Sequence, residues 1–251
     1  MNNFDISSGH PITASMFIDG RWTAGAGTDL IEVENPANGQ IIGTIPTGTV
    51  QDANDALEAA KIAQVAWARL PAVQRGNIVR KLGDLIAERS ELLANLITAE
   101  QGKPIGQALG EVEGTVNFLH HAANNARSIE GDIVTSDNAN EEIYIRRHPH
   151  GVVVGLTSWN YPAALAARKL GPALVTGNAF VLLAHDITPL SGLFIASLAN
   201  EAGLPPGLFN VVTGPGPVVG QALVQSPITG MVTMTGSNRA GQEIYRSGAD
   251  G

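Results

Sequence analysis

The chain has 251 residues, 44% hydrophobic and 15% charged, which is long enough for a packed core and too apolar for a disordered segment. With 15 basic and 23 acidic residues the net charge is −8, and no basic run interrupts it, which argues against nucleic acid and anionic membrane as partners. There is no cysteine, so disulfides, thiolate metal sites and thiol nucleophiles are excluded within this sequence.

Met1 to Pro11 is polar and lacks a charged-then-apolar signal pattern, which makes the cytoplasm the expected location. Phe17 to Arg21 and Leu30 to Asn35 read as short edge strands around a turn at Gly25-Ala26-Gly27. Thr49 with Asp52 forms a capping-box pattern opening a helix with Ala53, Ala56, Leu57 and Ala60 on one face. A second helix follows Pro71, with Ile78, Leu82, Leu85 and Ile86 at core spacing. Ser90 is placed to cap a third, whose Leu93, Leu96 and Ile97 face inward and which stops at Gly102 before Pro104. Glu111 to Ala126 reads as a fourth helix. From Gly131 the period changes: Glu142 to Arg147 alternates polar and apolar, the pattern of a strand with one wet face.

Gly151 to Pro162 is the most informative stretch. Its Val-rich run reads as a buried parallel strand, Thr157 to Asn160 as a turn, and Pro162 as the first residue of a helix running through Ala163 to Leu170. Three further strands are expected at Phe180–Leu183, Leu208–Thr213 and Gly230–Met234. A helix bounded by Thr188 as N-cap, Pro189 and Gly203 lies between the first two of these. Apolar strands alternating with helices give an α/β fold with a doubly wound parallel sheet, Rossmann-like in type. The longest apolar runs, such as Ala179 to Ala184, are too short to cross a bilayer, so no membrane role is expected.

Ligands of such sheets bind beyond the carboxyl ends of the strands. At the first of those ends Asn160 either turns the chain or offers its amide to a developing negative charge. Gly214, Gly216 and Gly220 follow a strand with a Gly-x-Gly-x-x-x-Gly spacing, which suits a tight turn or close approach to a cofactor. Ser237 is placed as an N-cap, and the same orphan amides bind anions. His120-His121 and His148-Pro149-His150 lack accompanying ligands at metal spacing, so no metal is expected. No Gly-x-Ser-x-Gly elbow is present.

Asn35-Pro36-Ala37, Gly102-Lys103-Pro104, Trp159-Asn160-Tyr161-Pro162, Arg168 to Leu174, Thr176-Gly177-Asn178 and Met234-Thr235-Gly236-Ser237 occur in an order and spacing that resemble the aldehyde dehydrogenase superfamily over roughly Phe17 to Gly241. Family members run to nearly twice this length, so the resemblance is to an amino-terminal half. It implies a small aldehyde substrate, NAD or NADP as cofactor, and a homo-oligomeric or self-associating chain with a protruding contact hairpin. A solvent-exposed hairpin without a partner is the other reading of that segment. The resemblance further implies Asn160 as the catalytic oxyanion donor, with Leu156, Thr157, Ser158, Trp159, Asp186, Gly216, Gly220, Ser237 and Ala240 at the cofactor.

Three positions depart from the pattern. Leu183 stands where the family has a ribose-binding Lys, with Asp186 at the position of its Glu, and Ser158 stands where it usually has Pro. The family's nucleophilic Cys and its Glu base lie downstream of the point matching Gly251, as does a fifth sheet strand. The expected organisation is amino-terminal strands and helices over 1–130, an oligomerisation-type hairpin over 131–150, and a dinucleotide-binding sheet over 151–251, incomplete at its carboxyl end. A chain of this kind is expected to be inactive alone. The alternative is a non-catalytic dinucleotide-binding or oligomerisation module.

Overall fold

The computed structural model describes residues 4–6 and 9–249. Its central sheet has six strands in the order β11 (Thr229–Met234), β8 (Val152–Leu156), β9 (Ala179–Leu183), β10 (Phe209–Val212), β2 (Met16–Ile18) and β3 (Arg21–Thr23). Four of these, β8, β9, β10 and β11, are parallel. They match the four strands expected from the sequence to within a residue or so at each end. Val154 lies opposite both Val181 and Val232 in register. Strands β8, β9 and β10 are buried throughout, as near-continuous Val, Leu and Phe runs require.

The sheet is not wholly parallel. Phe17 to Arg21 is not one edge strand but parts of two, β2 (Met16–Ile18) and β3 (Arg21–Thr23), joined by a tight hairpin. Asp19 and Gly20 both have positive φ, 52° and 71°, as a two-residue Asp-Gly hairpin loop demands. β2 pairs antiparallel with β10, so it is internal and β3 takes the edge. A separate small sheet holds β1 (Ile12–Thr13), β5 (Gln40–Pro46) and β4 (Leu30–Asn35) in the order β1-β5-β4.

Helices α1 (Val50–Arg69), α2 (Ala72–Glu88), α3 (Ser90–Gln101) and α4 (Ile105–Asn124) precede the parallel strands. The capping box of α1 is present in full, with the Thr49 amide donating to Asp52 at 2.8 Å. Ser90 is not a cap: Arg89 holds that position, and the helix α3 begins at Ser90 itself. Helix α4 starts six residues before Glu111, directly after Pro104, because Gly102 at φ 87° ends α3 and proline opens a helix without losing a hydrogen bond. Arg75 is buried and donates to Val175, Ala68 and Leu70 carbonyls, so one guanidinium satisfies the carboxyl ends of α1 and of α5 (Pro162–Val175).

The helix expected between β9 and β10 is broken into α6 (Leu190–Ser197) and α7 (Ala199–Ala202), with Gly203 as its left-handed stop. Thr188 does not cap it; its hydroxyl donates to the Trp159 carbonyl at 3.3 Å. The cap comes from Glu100 on α3, whose carboxylate accepts from the Leu190 and Ser191 amides at 2.7 and 3.0 Å. Helices α8 (Gln221–Gln225) and α9 (Asn238–Ala249) follow β10 and β11. The two-stranded hairpin β6 (Asp132–Thr135) and β7 (Glu142–Ile145) stands apart and is exposed on both faces, not one. Among the described residues no helix is long and apolar enough to cross a membrane.

Candidate functional site

A cleft of 590 Å³ lies at the carboxyl ends of β8, β9 and β11, with the loop after β10 as a further wall. That volume lies within the range of small-molecule sites. Leu156, Thr157, Ser158 and Trp159 line it from the end of β8 and its turn. Asp186 lines it after β9, Gly216 and Gly220 after β10, and Ser237 and Ala240 at the start of α9. These nine positions are the cofactor residues expected from the sequence. Gln221, Glu243, Ile244 and Ser247 also line it, and no sequence pattern singled them out. The Asp186 Oδ1 and Ser247 Oγ atoms are buried there without a hydrogen-bond partner. Both oxygens are thus open to a hydrogen-bonding group in the cleft.

Asn160 sits beyond the cleft lining, exposed on the turn between β8 and α5. Its Oδ1 accepts from the Ser158 hydroxyl at 2.7 Å, which leaves the amide NH₂ free to donate. Its backbone is held from below. Lys103 Nζ donates to the Asn160 carbonyl at 2.8 Å and to Glu111 at 2.5 Å, and lies 3.8 Å over the Tyr161 ring. Glu111 Oε1 in turn accepts from the Ala163 and Ala164 amides at 2.9 and 3.2 Å, capping α5 where Tyr161 supplies no side-chain bond. Lys103 was visible in the sequence only as part of Gly-Lys-Pro; its pairing across the start of α4 had no sequence signal.

Lys169 on α5 is buried and donates to Thr235 Oγ1 at the end of β11 at 2.6 Å. Burial, and then the neighbouring Arg168 charge, lower its pKa from the ordinary lysine value. His185 lines the cleft beside Asp186, and its Nδ1 accepts from the Ile187 amide at 3.2 Å. Burial lowers the His185 pKa against the pull of Asp186, and burial raises that of Asp186. No group of three or more metal-ligating side chains occurs among the described residues.

Glu100, which caps α6, is fully buried, and that burial pushes its pKa from 4.5 up to about 7 despite its bonds to Leu190 and Ser191. A carboxyl group with a raised folded-state pKa binds its proton more tightly in the folded chain. Its contribution to stability is therefore complete below pH 4.5 and is lost as pH rises towards 7. Thermal melts across that window should fall for the native chain and fall less for Glu100→Gln, whose amide is neutral throughout. Parallel profiles for the two proteins would show that Glu100 does not titrate there.

Comparison with known proteins agrees with this architecture. The family model described as the aldehyde dehydrogenase family matches residues 22–251. A 3,6-anhydro-alpha-L-galactose dehydrogenase of Vibrio sp. (strain EJY3) is 44% identical over 235 residues, covering 94% of this chain and 49% of its own length. The lactaldehyde dehydrogenase of Escherichia coli is 40% identical over 239 residues, 95% of this chain and 50% of that protein. The solved structure of an E. coli NADP-dependent enzyme superposes with a TM-score of 0.93 at 37% identity, over 95% of this chain and 50% of its own. The chain thus spans about half the length of the relatives it matches.

Proposed function

The chain belongs to the aldehyde dehydrogenase family, and from that premise we propose that its cleft holds NAD(P) for oxidation of a small aldehyde to a carboxylic acid. The observation that carries the reading is the cleft at the strand ends with two buried oxygens, of Asp186 and Ser247, lacking partners.

In this reading the nicotinamide cofactor supplies the hydride acceptor. Ser237 caps α9 by accepting from the Ala240 amide at 3.2 Å, and the amides of that first turn favour a pyrophosphate. Gly216 lets the backbone approach the adenosine side. Asn160 would offer its free amide to an oxyanion formed at the aldehyde carbon by a nucleophile that these 251 residues do not contain, and Ser158 holds that amide in the donating orientation. Asp186 accepts from a ribose hydroxyl and repels a 2′-phosphate, which favours NAD over NADP.

A second reading, a dinucleotide-binding or oligomerisation module without chemistry, is favoured by one observation: these 251 residues contain no cysteine to form the covalent adduct. The exposed hairpin β6–β7 is the surface through which either form would pair with a second copy.

Titration with NAD and NADP, followed by the fluorescence of Trp159 in the cleft, tests both readings. Binding is expected, weakened about 10- to 100-fold relative to a chain with Lys in place of Leu183, since a charged hydrogen bond is worth roughly 1.5–3 kcal/mol. No aldehyde turnover is expected from the chain alone. Absence of saturable binding would overturn the cofactor reading. Turnover that follows the protein through purification and falls on Asn160→Ala would overturn the expectation of inactivity.

A further inference from the structure

We propose that Lys169 is a covalent carbonyl-capture site, whose side-chain amine takes up a small aldehyde, above all one bearing a carboxylate, as an imine. It takes nothing from the dinucleotide reading of the neighbouring cleft, and a failure of nucleotide binding would leave it untouched.

The site is a second cavity, of 540 Å³, lined by α5, β8 and β11. It meets the first cleft at Met234 and Thr235, which line both. Lys169 and Arg168 line it from α5, and His150 from just before β8. β8 and β11 bring only apolar side chains and the hydroxyls of Thr233 and Thr235, and Thr176 and Asn178 beyond α5 are uncharged. No carboxylate lines the cavity, although the chain as a whole carries a net charge of −8.

The four lysines of the chain, Lys61, Lys81, Lys103 and Lys169, differ in what holds their charge. Lys103 is buried against Glu111. Lys61 stands in water 4.0 Å from Glu58, and Lys81 is exposed. Lys169 is buried like Lys103, yet its one hydrogen-bond acceptor among the described residues is neutral, the Thr235 hydroxyl at 2.6 Å. An ammonium group has three hydrogens to place and a charge to offset, and one hydroxyl does not suffice for both. Burial, and then the Arg168 charge, lower the Lys169 pKa, and no acid in the cavity opposes them. The free amine is thereby favoured, and a desolvated lysine beside another cation is a nucleophile.

Carbonyl capture follows from that state. The Nζ lone pair adds to the aldehyde carbon, the carbonyl pair moves to oxygen, and one amine proton follows it to give a carbinolamine. That hydroxyl then leaves as water with the second amine proton, and a C=N bond remains. The step is a dehydration that needs no oxidant or reductant. Thr235 assists it, because its Oγ1 accepts from Lys169 and leaves the hydroxyl hydrogen for the carbonyl oxygen. Arg168 sets the preference among aldehydes. Its guanidinium lies 5.4 Å from the Phe118 ring centre and has no carboxylate beside it in the cavity, so an anionic group on the aldehyde would supply one.

Propanal and glyoxylate are the probes, applied to the folded chain at neutral pH with cyanoborohydride to fix each imine as a stable amine. Mass mapping then gives the labelling rate of each lysine. Lys169 is expected to react several-fold faster than Lys61 and Lys81, with Lys103 the slowest. Measured against Lys61 in the same sample, glyoxylate should gain about 10-fold over propanal at Lys169, the worth of one charge-assisted hydrogen bond. The lead of Lys169 should shrink as pH rises towards 10.5, the ordinary lysine value, where exposed amines are also free. Arg168→Gln, a change at an exposed position, should slow Lys169 with both probes and erase the glyoxylate preference. In denaturant the four lysines should react alike. Labelling of Lys169 no faster than of Lys61 in the folded native chain would overturn the site without recourse to any variant. A fast Lys169 that treats both probes alike would refute the carboxylate preference, and an equal lead in denaturant would show that the fold does not create it.

Discussion

Lys103→Met is expected to cost about 3–5 kcal/mol of folding stability, the usual penalty for leaving one member of a buried ion pair without its partner. The Lys103 and Glu111 side chains are 7% and 0% exposed, so neither charge has water to fall back on. Glu111 would keep its two bonds from the Ala163 and Ala164 amides but would lose its counter-charge, and the Asn160 carbonyl would lose its donor. For a chain of this size each kcal/mol moves the melting midpoint by roughly 2–4 °C. Glu111→Gln should be milder, because the amide oxygen still accepts from α5. The double variant Lys103→Met/Glu111→Gln should recover much of the single loss, since no bare charge remains. Denaturant unfolding of the four proteins gives the coupling energy directly. A loss under about 1 kcal/mol for Lys103→Met would show the pair to be solvated in solution. Hydrogen exchange at the Asn160 turn should rise in the single variant, because the carbonyl contact fixes the loop that carries Asn160.

These contacts also mark the limit of what the sequence makes legible. Local signals are readable. The Thr49–Asp52 box, Gly102 as a helix stop and Pro162 as a first helical residue each act within a few residues, and each stands as expected. The parallel strands are readable because burial on both faces forces an unbroken apolar run. The Asp19-Gly20 hairpin is equally local, yet the stretch Phe17 to Arg21 reads as one strand and hides the turn dipeptide. Contacts between distant residues are another matter. Glu100 reaches Leu190 and Ser191 across 90 and 91 residues, and Glu111 reaches Ala163 across 52. Nothing in the sequence near Thr188 reveals that its helix is capped from α3. The positions that the resemblance implies for a cofactor converge on one cleft because each lies at or beyond the carboxyl end of a strand of one parallel sheet.

The isolated chain is also expected to self-associate as its concentration rises. Among the described residues β6 and β7 pair only with each other, so both outer edges carry unpaired amides and carbonyls. The hairpin is apolar as well as open, with Ile133 79%, Tyr144 64% and Ile145 46% exposed. β11 forms one edge of the six-stranded sheet and pairs only with β8, with Met231 exposed on it, and α9 beside it buries none of its residues. Uncovered edges with apolar side chains are templates for another strand. The net charge of −8 opposes association, but repulsion between exposed charges is screened beyond about 8 Å at physiological salt, whereas strand pairing acts at contact. Adding salt should therefore strengthen association. Light scattering after size-exclusion chromatography, across concentration and ionic strength, measures it. Ile133→Lys with Ile145→Lys separates the two surfaces: a return to monomer assigns the contact to the hairpin, and persistence assigns it to β11 and α9. A monomer under every condition would show that neither edge is adhesive. The apolar residues of the hairpin would then be merely exposed, and the proposed pairing of this chain with a second copy would fail.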